Sequence, residues 1–247
     1  MDIGLYREFD KIGNDNWWYA GRRKIISTIL HPFLIPGDLS KKRVLSVGCG
    51  TGQELDFLGR YGSVAGVDKS EEAIYFCRKN NPKSLVAVAD AEKLPFPDKV
   101  FALVFILDVI EHVDNPNAVL NEIDRVLKDD GTVVLTVPAY NFLWSKSDER
   151  SHHKCRFTAG RLRDLVSQRF EVKRLTYFNT IFFPAIALIK IALGVFEPKG
   201  LSQYEVSNPP KLLNEILKKV FLSEAFLLRY FRLPFGVSIG TVLVKKR

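Results

Sequence analysis

Cysteine is scarce in this chain, and its spacing excludes two common uses of the residue. The 247 residues include three cysteines, Cys49, Cys77 and Cys155, which lie far apart and form no C-x-x-C pair. The odd count argues against a disulfide framework, and the spacing argues against a zinc site. A few unpaired cysteines are typical of proteins in the reducing interior of the cell. The amino-terminal residues show no secretory signal pattern, so we expect a cytoplasmic protein.

Positive charge is abundant but is not concentrated in one place. The formal net charge is +8 and the pI is about 9.3, with small clusters of Lys and Arg along the chain. This balance permits an anionic partner such as a phospholipid surface or a phosphorylated substrate. The arginine–aromatic interleaving typical of an RNA platform is missing. Solvated faces are therefore the favoured interpretation, and a nucleic-acid partner is not expected.

The chain is organised around a glycine-rich turn. The apolar run at residues 44–47 predicts a buried strand, and Gly48, Gly50 and Gly52 break it. Glycine accepts positive φ and has no Cβ, so the backbone can turn sharply against a ligand. A strand, such a turn and a helix N-terminus together favour a nucleotide-like ligand. The dinucleotide fingerprint G-x-G-x-x-G is not met, because Gln53 stands where its third glycine belongs.

The motif Gly48-Cys49-Gly50-Thr51-Gly52 resembles the first motif of class I S-adenosylmethionine (SAM) methyltransferases. The resemblance is to the small-molecule, methyltransferase type 11-like group, which includes quinone-biosynthesis enzymes, and it covers roughly residues 40–175. It implies SAM as the cofactor, with the loop against its methionine part. The family often has an acid two residues before the first glycine, whereas Ser46 stands here.

Two acids follow the next two predicted strands. Asp68 lies twenty residues beyond Gly48, at the distance expected for an acid that accepts hydrogen bonds from ribose hydroxyls. Its alternative role, capping the next helix, is better met by Ser70. The run 85–91 predicts a third buried strand that ends in Asp90 and Ala91.

The resemblance implies further cofactor contacts in this half of the chain. It places Asp90 and the amide of Ala91 beside adenine, with Lys69 and Leu107 also at the cofactor. A strand-end turn is the alternative for Asp90. The segment 108–113 follows a very apolar fourth strand and is expected to face the reaction centre. It has neither the Asn-Pro-Pro-aromatic nor the Pro-Cys sequence of nucleic-acid base methyltransferases.

The remaining pattern predicts an α/β fold. Asn115 and Pro116 begin a helix that we expect to end at Asp130-Gly131, and a fifth strand follows. Residues 170–178 and 236–245 predict two final strands. The expected fold is a seven-stranded, mostly parallel, doubly wound Rossmann-like sheet with an antiparallel last strand and a helical insert before it.

Both ends of the chain carry predicted helical additions. Residues 1–39 are expected to form a helical lid, with Tyr6, Trp18 and Arg22 as cofactor-contacting candidates on the family pattern; packing on the sheet is the alternative. Residues 179–234 are expected to form the helical insert within the domain that spans residues 40–247. Its apolar stretch 180–196 is interrupted by Pro184 and Lys190, which argues against a spanning helix.

The second helical stretch of the insert, residues 209–234, combines an apolar face with positive charge. The predicted apolar residues are Leu212, Leu213, Ile216, Leu217, Val220 and Phe221. Such a helix can lie on an anionic membrane, so peripheral membrane contact through residues 180–234 is one hypothesis. A cap folded over the active site is the other. The two are compatible if the acceptor is lipid-linked.

The chemistry of methyl transfer requires little from the protein beyond alignment and exclusion of water. If the nucleophile is protonated, His112, His152, His153 or Asp148 could act as the base, and spacing selects none of them. No third ligand is evident beside the adjacent histidines, so no metal is expected. The favoured function is methyl transfer from SAM to a small-molecule or lipid-like acceptor. The alternatives are a non-catalytic, membrane-associated protein of this fold and an NAD-type oxidoreductase.

Overall fold

A seven-stranded sheet forms the centre of the protein. The computed structural model describes residues 3–12, 15–34, 41–193 and 209–246. The strands are β1 (Arg43–Val47), β2 (Ser63–Asp68), β3 (Leu85–Val88), β4 (Phe101–Leu107), β5 (Leu127–Pro138), β6 (Phe170–Phe178) and β7 (Ser238–Lys245). The helices are α1 (Ile3–Lys11), α2 (Trp17–Leu30), α3 (Leu55–Leu58), α4 (Glu71–Asn80), α5 (Pro116–Val126), α6 (Lys146–Arg150), α7 (Ala159–Val166), α8 (Phe183–Leu193) and α9 (Lys211–Tyr230).

The strand order is β3-β2-β1-β4-β5-β7-β6. Strands β1 to β5 pair in parallel, and β7 runs antiparallel to both β5 and β6. This confirms the predicted fold, including the antiparallel last strand. The chain direction of the crossovers reverses between β1 and β4, which is where ligands bind in open α/β sheets.

Two apolar layers cover the two faces of the sheet. Successive residues of β4 alternate between them: Val104 packs in one layer and Phe105 in the other. The first layer includes buried residues of α5 and α7, and the second includes buried residues of α2 and α9. Because strand side chains alternate with a period of two, the buried strands must be apolar on both faces.

Capping residues mark the starts of helices α4 and α5. The Ser70 side chain accepts from the Ala73 N–H at the start of α4, and Asn115 accepts from the Ala118 N–H at the start of α5. Both satisfy backbone donors that a helix N-terminus leaves without a partner. The predicted caps at these positions are confirmed.

Two predicted boundaries are wrong. Helix α5 ends at Val126 and not at Asp130-Gly131, because Leu127 already pairs with Phe101 of β4. The register then shifts, so the acidic residues and Gly131 lie inside β5. Strand β3 ends at Val88 and is not buried, since Leu85 is 75% exposed. It is the edge strand of the sheet and has a neighbouring strand on one side only.

The insert between β6 and β7 contains α8 and α9, and the last residues of the predicted 180–196 stretch lie outside the described part of the chain. The predicted apolar face of α9 is exposed at its start and buried further along. Leu212 is 76% exposed, whereas Phe221, Ala225 and Leu228 are buried against α2 and the sheet. Among the helices that the structure describes, none combines the length and the apolar character needed to cross a bilayer.

Candidate functional site

A cavity of about 660 Å³ opens at the carboxyl ends of β1, β2 and β4, beneath α1 and α2. It brings together most of the residues singled out in the sequence. The predicted site residues that line it are Tyr6, Trp18, Arg22, Gly48, Cys49, Gly50, Asp68, Lys69, Asp90, Ala91, Leu107, His112, His152 and His153. Gly52 is the exception, since only its neighbours Thr51 and Gln53 reach the cavity.

The glycine turn has the backbone that its sequence predicts. Gly48, Gly50 and Gly52 have φ values of +67°, +54° and +88°, a region that residues with a Cβ rarely adopt. A Cβ at Gly50 would meet no protein atom within 4 Å, so its open side faces the cavity. A Cβ at Gly52 would overlap the Asn81 amide and the Cys77 sulfur. Gly50 therefore leaves room for a ligand, and Gly52 allows the turn to pack on α4.

Asp68 holds this turn to the end of β2. Its Oδ2 accepts from the Gly50 N–H and its Oδ1 accepts from the Ser70 N–H, both at 2.9 Å. Burial raises the pKa of the Asp68 carboxyl, while these two N–H donors oppose the rise. Each carboxylate oxygen can accept a further hydrogen bond from a ligand in the cavity.

Asp90 lies at the exposed rim of the cavity. Its Oδ1 accepts from the Glu92 N–H at 3.0 Å, and its Oδ2 pairs with the ammonium of Lys69 at 2.9 Å. The backbone hydrogen bond from Glu92 and the contact with Lys69 lower the pKa of Asp90. Lys69 thus contacts the second acid directly, which its sequence position next to Asp68 does not reveal.

Arg22 crosses from α2 to the sheet and is buried between two acids. Its Nη1 donates to Asp108 at 2.6 Å, and its Nη2 donates to Glu54 at 2.8 Å. Asp108 also accepts from the Thr136 hydroxyl at 3.0 Å. Although burial disfavours the charged form, Glu54 and Asp108 raise the pKa of Arg22 above its usual value. Sequence reasoning did not find Glu54, because nothing in its local spacing marks it.

The other two lid candidates differ in how they meet the cavity. Burial, assisted by the charge of Asp68, raises the pKa of the Tyr6 hydroxyl to about 12, so it remains a neutral donor. Trp18 stacks on Phe221 of α9 with ring centroids 5.5 Å apart. The side chain therefore both lines the cavity and joins α2 to the insert.

Two of the three candidate histidines meet at the far side of the cavity. The rings of His112 and His153 lie edge to face with centroids 4.6 Å apart. Burial, followed by the neighbouring His153, lowers the pKa of His112 to about 4, so its imidazole is neutral. His152 is exposed at the cavity edge, with a positive φ of +56°.

Glu111 is the group that sequence reasoning missed here. One ligand atom from each of Glu111, His112 and His153 lies within 4.8 Å of the other two. The Glu111 side chain is fully buried, and burial together with Asp108 raises its pKa well above the usual value. Its place in the segment 108–113, expected to face the reaction centre, was the available signal.

Asp148 is a buried structural partner of this cluster. It accepts 2.8 Å hydrogen bonds from both Nε and Nη2 of Arg156 and lies 2.7 Å from Nδ1 of His153. Although burial acts in the opposite sense, His153 and Arg156 hold the pKa of Asp148 well below its usual range. A carboxylate stabilised in this way is a poor general base, so Asp148 orients His153 instead.

Comparison with known proteins identifies the central part of the chain. Residues 45–135 match the family described as "Methyltransferase domain". The ubiquinone biosynthesis O-methyltransferase of Neisseria meningitidis is 32% identical over 146 residues, which cover 54% of this chain and 61% of that protein. The fatty-acid O-methyltransferase of Mycolicibacterium smegmatis is 34% identical over 113 residues, covering 44% and 41% respectively. The chain therefore spans about half the length of these curated relatives.

A solved structure shares the fold of this protein. Haemonchus contortus phosphoethanolamine N-methyltransferase 2, solved in complex with S-adenosyl-L-methionine, superposes with a TM-score of 0.57 and 17% identity over 90% of this chain and 52% of that chain. At this identity the likeness concerns the fold. The match over residues 45–135, taken with the strand order and the glycine turn, shows that this part of the chain is a methyltransferase domain of the class I SAM-dependent type, for which SAM is the cofactor.

Proposed function

We propose that this protein transfers the methyl group of SAM to an oxygen atom of a small-molecule or lipid-like acceptor. The observation that carries the proposal is the convergence of the glycine turn, Asp68 and Asp90 on one cavity at the carboxyl edge of the sheet. The two named curated relatives described above are both O-methyltransferases, which favours oxygen as the nucleophile.

In the proposed cofactor contacts, polar groups of the cavity face the polar groups of SAM. The Asp68 oxygens accept from the ribose hydroxyls, and Asp90 with the Ala91 amide contacts adenine. The methionine part lies along Gly48 to Gly50, where no Cβ intervenes at Gly50. Arg22 retains donor N–H groups beyond those used for Glu54 and Asp108, and these are suited to the methionine carboxylate.

The N-terminal helices are proposed to act as a lid. Helix α1 is attached across the cavity by Gln53, which donates to the Phe9 carbonyl at 2.6 Å, and by Arg150 of α6, which donates to both oxygens of Glu8. The contact between Arg150 and Glu8 is exposed, and the contact between Gln53 and Phe9 is partly buried. Opening them would admit SAM, and closing them would exclude water from the sulfonium.

The insert is proposed to be an apolar cap over the acceptor end. Trp17 of α2 contacts both Phe182 and Phe221 of the insert, with ring centroids 5.5 and 5.7 Å away. The exposed side chains of Leu188, Leu212 and Ile216 extend this apolar character to the surface. Such a surface suits an apolar acceptor or a peripheral membrane contact. Vesicle co-sedimentation of the protein and a variant with serine at 212, 213 and 216 distinguishes them.

Isothermal titration with SAM and S-adenosylhomocysteine tests the cofactor directly. We expect one saturable site per chain, and absence of binding would refute the proposal. Thermal-shift measurements with NADH in parallel test the oxidoreductase alternative, which requires NADH to stabilise the protein more than SAM does. Incubation of lipid and metabolite extracts with radiolabelled SAM, followed by identification of the labelled product, then defines the acceptor. No labelled product despite SAM binding would favour the non-catalytic alternative.

A further inference from the structure

We propose that Glu111, His112 and His153 bind a divalent transition-metal ion, and that this ion receives the acceptor oxygen. The metal site stands on the structure alone, whereas its role toward the acceptor rests on the proposed function. It revises the sequence-based expectation that this protein uses no metal.

The first argument is convergence. One potential ligand atom from each of the three residues lies within 4.8 Å of the others. Two atoms that are each about 2.1 Å from one ion are at most about 4.2 Å apart. A small inward movement of the side chains is therefore enough to hold an ion.

The second argument is the Glu111 carboxylate. The side chain is fully buried, and neither of its oxygens accepts a hydrogen bond from another residue that the structure describes. A buried carboxylate without a partner is costly, and in native proteins such groups are normally paired or coordinate a metal. The neighbouring Asp108 differs from Glu111, since its oxygens already accept hydrogen bonds from Arg22 and Thr136.

The third argument is the hydrogen bond that each imidazole ring makes to a neighbouring protein group. Nδ1 of His153 lies 2.7 Å from Asp148, an ionised carboxylate that can only accept, so the neutral tautomer with the proton on Nδ1 and a lone pair on Nε2 is favoured. His112 has a hydrogen bond to the backbone of Ser151. Histidine ligands characteristically donate their second N–H to a carboxylate or a backbone carbonyl, which fixes the ring and its tautomer.

The fold holds the two ligand-bearing segments together independently of any ion. The Lys154 N–H donates to the Glu111 carbonyl at 2.7 Å, and the His153 N–H donates to the Asp148 carbonyl at 2.9 Å. Arg156 fixes Asp148 through two hydrogen bonds. The site is thus preorganised by the backbone, as an accurate metal site requires.

The ligand set indicates the type of ion and its use. Two imidazoles and one carboxylate suit Zn²⁺, Mn²⁺ or Fe²⁺ better than Mg²⁺ or Ca²⁺, which prefer oxygen. Three protein ligands leave coordination positions for water or substrate, as in catalytic sites. His112 and His153 line the same cavity as the glycine turn, so those positions face the proposed methyl donor.

The resulting step balances without a further reactant. The ion acts as a Lewis acid that favours loss of the acceptor hydroxyl proton to solvent. The oxygen then attacks the SAM methyl carbon, the new O–C bond forms as the C–S bond breaks, and the bonding pair remains on sulfur. The products are the methyl ether or ester, S-adenosylhomocysteine and one proton.

Titration of Mn²⁺ into the EDTA-treated protein tests the site, by calorimetry and by loss of the free Mn²⁺ electron paramagnetic resonance signal. We expect one saturable site. Glu111→Gln keeps the side-chain volume and replaces a buried acid with a neutral amide, so the variant is expected to fold. It should weaken Mn²⁺ binding by at least about tenfold, and His153→Gln should do the same. As a control, His31→Gln changes an exposed histidine outside the cavity and should keep the Mn²⁺ affinity within about twofold.

Two results would overturn the metal site: no saturable Mn²⁺ binding by the wild type, or equal affinity in Glu111→Gln. SAM titrations on the same preparations distinguish failure of the metal site from failure of the proposed function. SAM binding without Mn²⁺ binding rejects the metal site and leaves the proposed function intact. Once an acceptor is known, methyl transfer should fall with EDTA and return with Mn²⁺ while SAM affinity is unchanged. Transfer that is insensitive to EDTA would reject the role of the ion toward the acceptor.

Discussion

Arg22 donates a 2.6 Å hydrogen bond to Asp108 across 86 residues of sequence, and thereby joins α2 to the carboxyl end of β4. The same guanidinium pairs with Glu54 behind the glycine turn. Helix α2 and the sheet edge therefore share one buried ionic network, and the geometry of the cavity depends on it.

Removing the guanidinium is expected to destabilise the fold. Arg22→Met leaves Glu54 and Asp108 without their buried partner, which costs about 3 kcal/mol in the free energy of unfolding. Urea denaturation followed by circular dichroism measures it. As a control, Asp129→Asn breaks the Lys99–Asp129 pair, whose side chains are 59% and 71% exposed, and should change the free energy of unfolding far less than Arg22→Met does. Equal losses in the two variants would contradict the network.

Asp68→Asn tests the proposed contact between Asp68 and the ribose hydroxyls of SAM. The amide cannot accept as strongly from the ribose hydroxyls and from the Gly50 N–H, so SAM affinity should fall by about 10- to 100-fold. Calorimetric titration with SAM measures it. Asp56→Asn changes an exposed acid of α3 and should leave the SAM dissociation constant unchanged. An Asp68→Asn protein that binds SAM as well as the wild type would remove Asp68 from the site.

Gly50 and Gly52 should respond differently to alanine. A Cβ at Gly50 enters the open cavity, so we expect a large loss of SAM affinity with a stability cost of only about 1–2 kcal/mol from the positive φ. A Cβ at Gly52 overlaps Asn81 and Cys77, so stability should fall further. Denaturation and SAM titration of both variants provide the comparison. A reversed order would mean that Gly50 faces away from the ligand.

The close packing of α2 on α9 depends on Gly21. A Cβ there would overlap the Phe221 ring, so Gly21→Ala should lose about 1–3 kcal/mol of stability. The double variant with Phe221→Leu should lose less than the sum of the two single losses, since the overlap is relieved. Gly160→Ala in α7 meets no atom within 4 Å and should be neutral or slightly stabilising. Additive losses would show that the helices do not touch at Gly21.

Glu224 is expected to make stability depend on pH. It is buried in α9 and accepts from the Thr180 N–H at 2.7 Å, and burial raises its pKa. The folded state then binds the proton more tightly than the unfolded state. The favourable contribution is complete below the unfolded pKa of about 4.3 and is lost as the pH rises through the raised value.

Glu224→Gln removes this titration while it keeps an acceptor oxygen. The stability of the wild type relative to Glu224→Gln should therefore decrease between about pH 4 and the raised folded pKa. Urea denaturation of both proteins at several pH values measures the difference. A difference that stays constant over this range would show that Glu224 does not titrate differently on folding.

Much of the fold follows from features that are local in the sequence. The alternation of apolar strands with capped helices predicts the α/β sheet, because Ser70 and Asn115 act on backbone groups only a few residues away. The glycine turn and Asp68 belong to one strand–turn–helix–strand unit, whose short connections fix their separation. The errors in α5 and β3 concern strand pairing, which depends on residues distant in sequence.

The sequence by itself determined the sheet, its turn and the position of the first acid, since each is set by backbone geometry over short distances. Only the tertiary structure decided which side chains meet across the cavity. Arg22 reaches Glu54 and Asp108, and His153 reaches Glu111 and His112, because separate loops fold back on the same sheet edge. Such contacts arise from the packing of whole elements and leave no periodic signal in the chain.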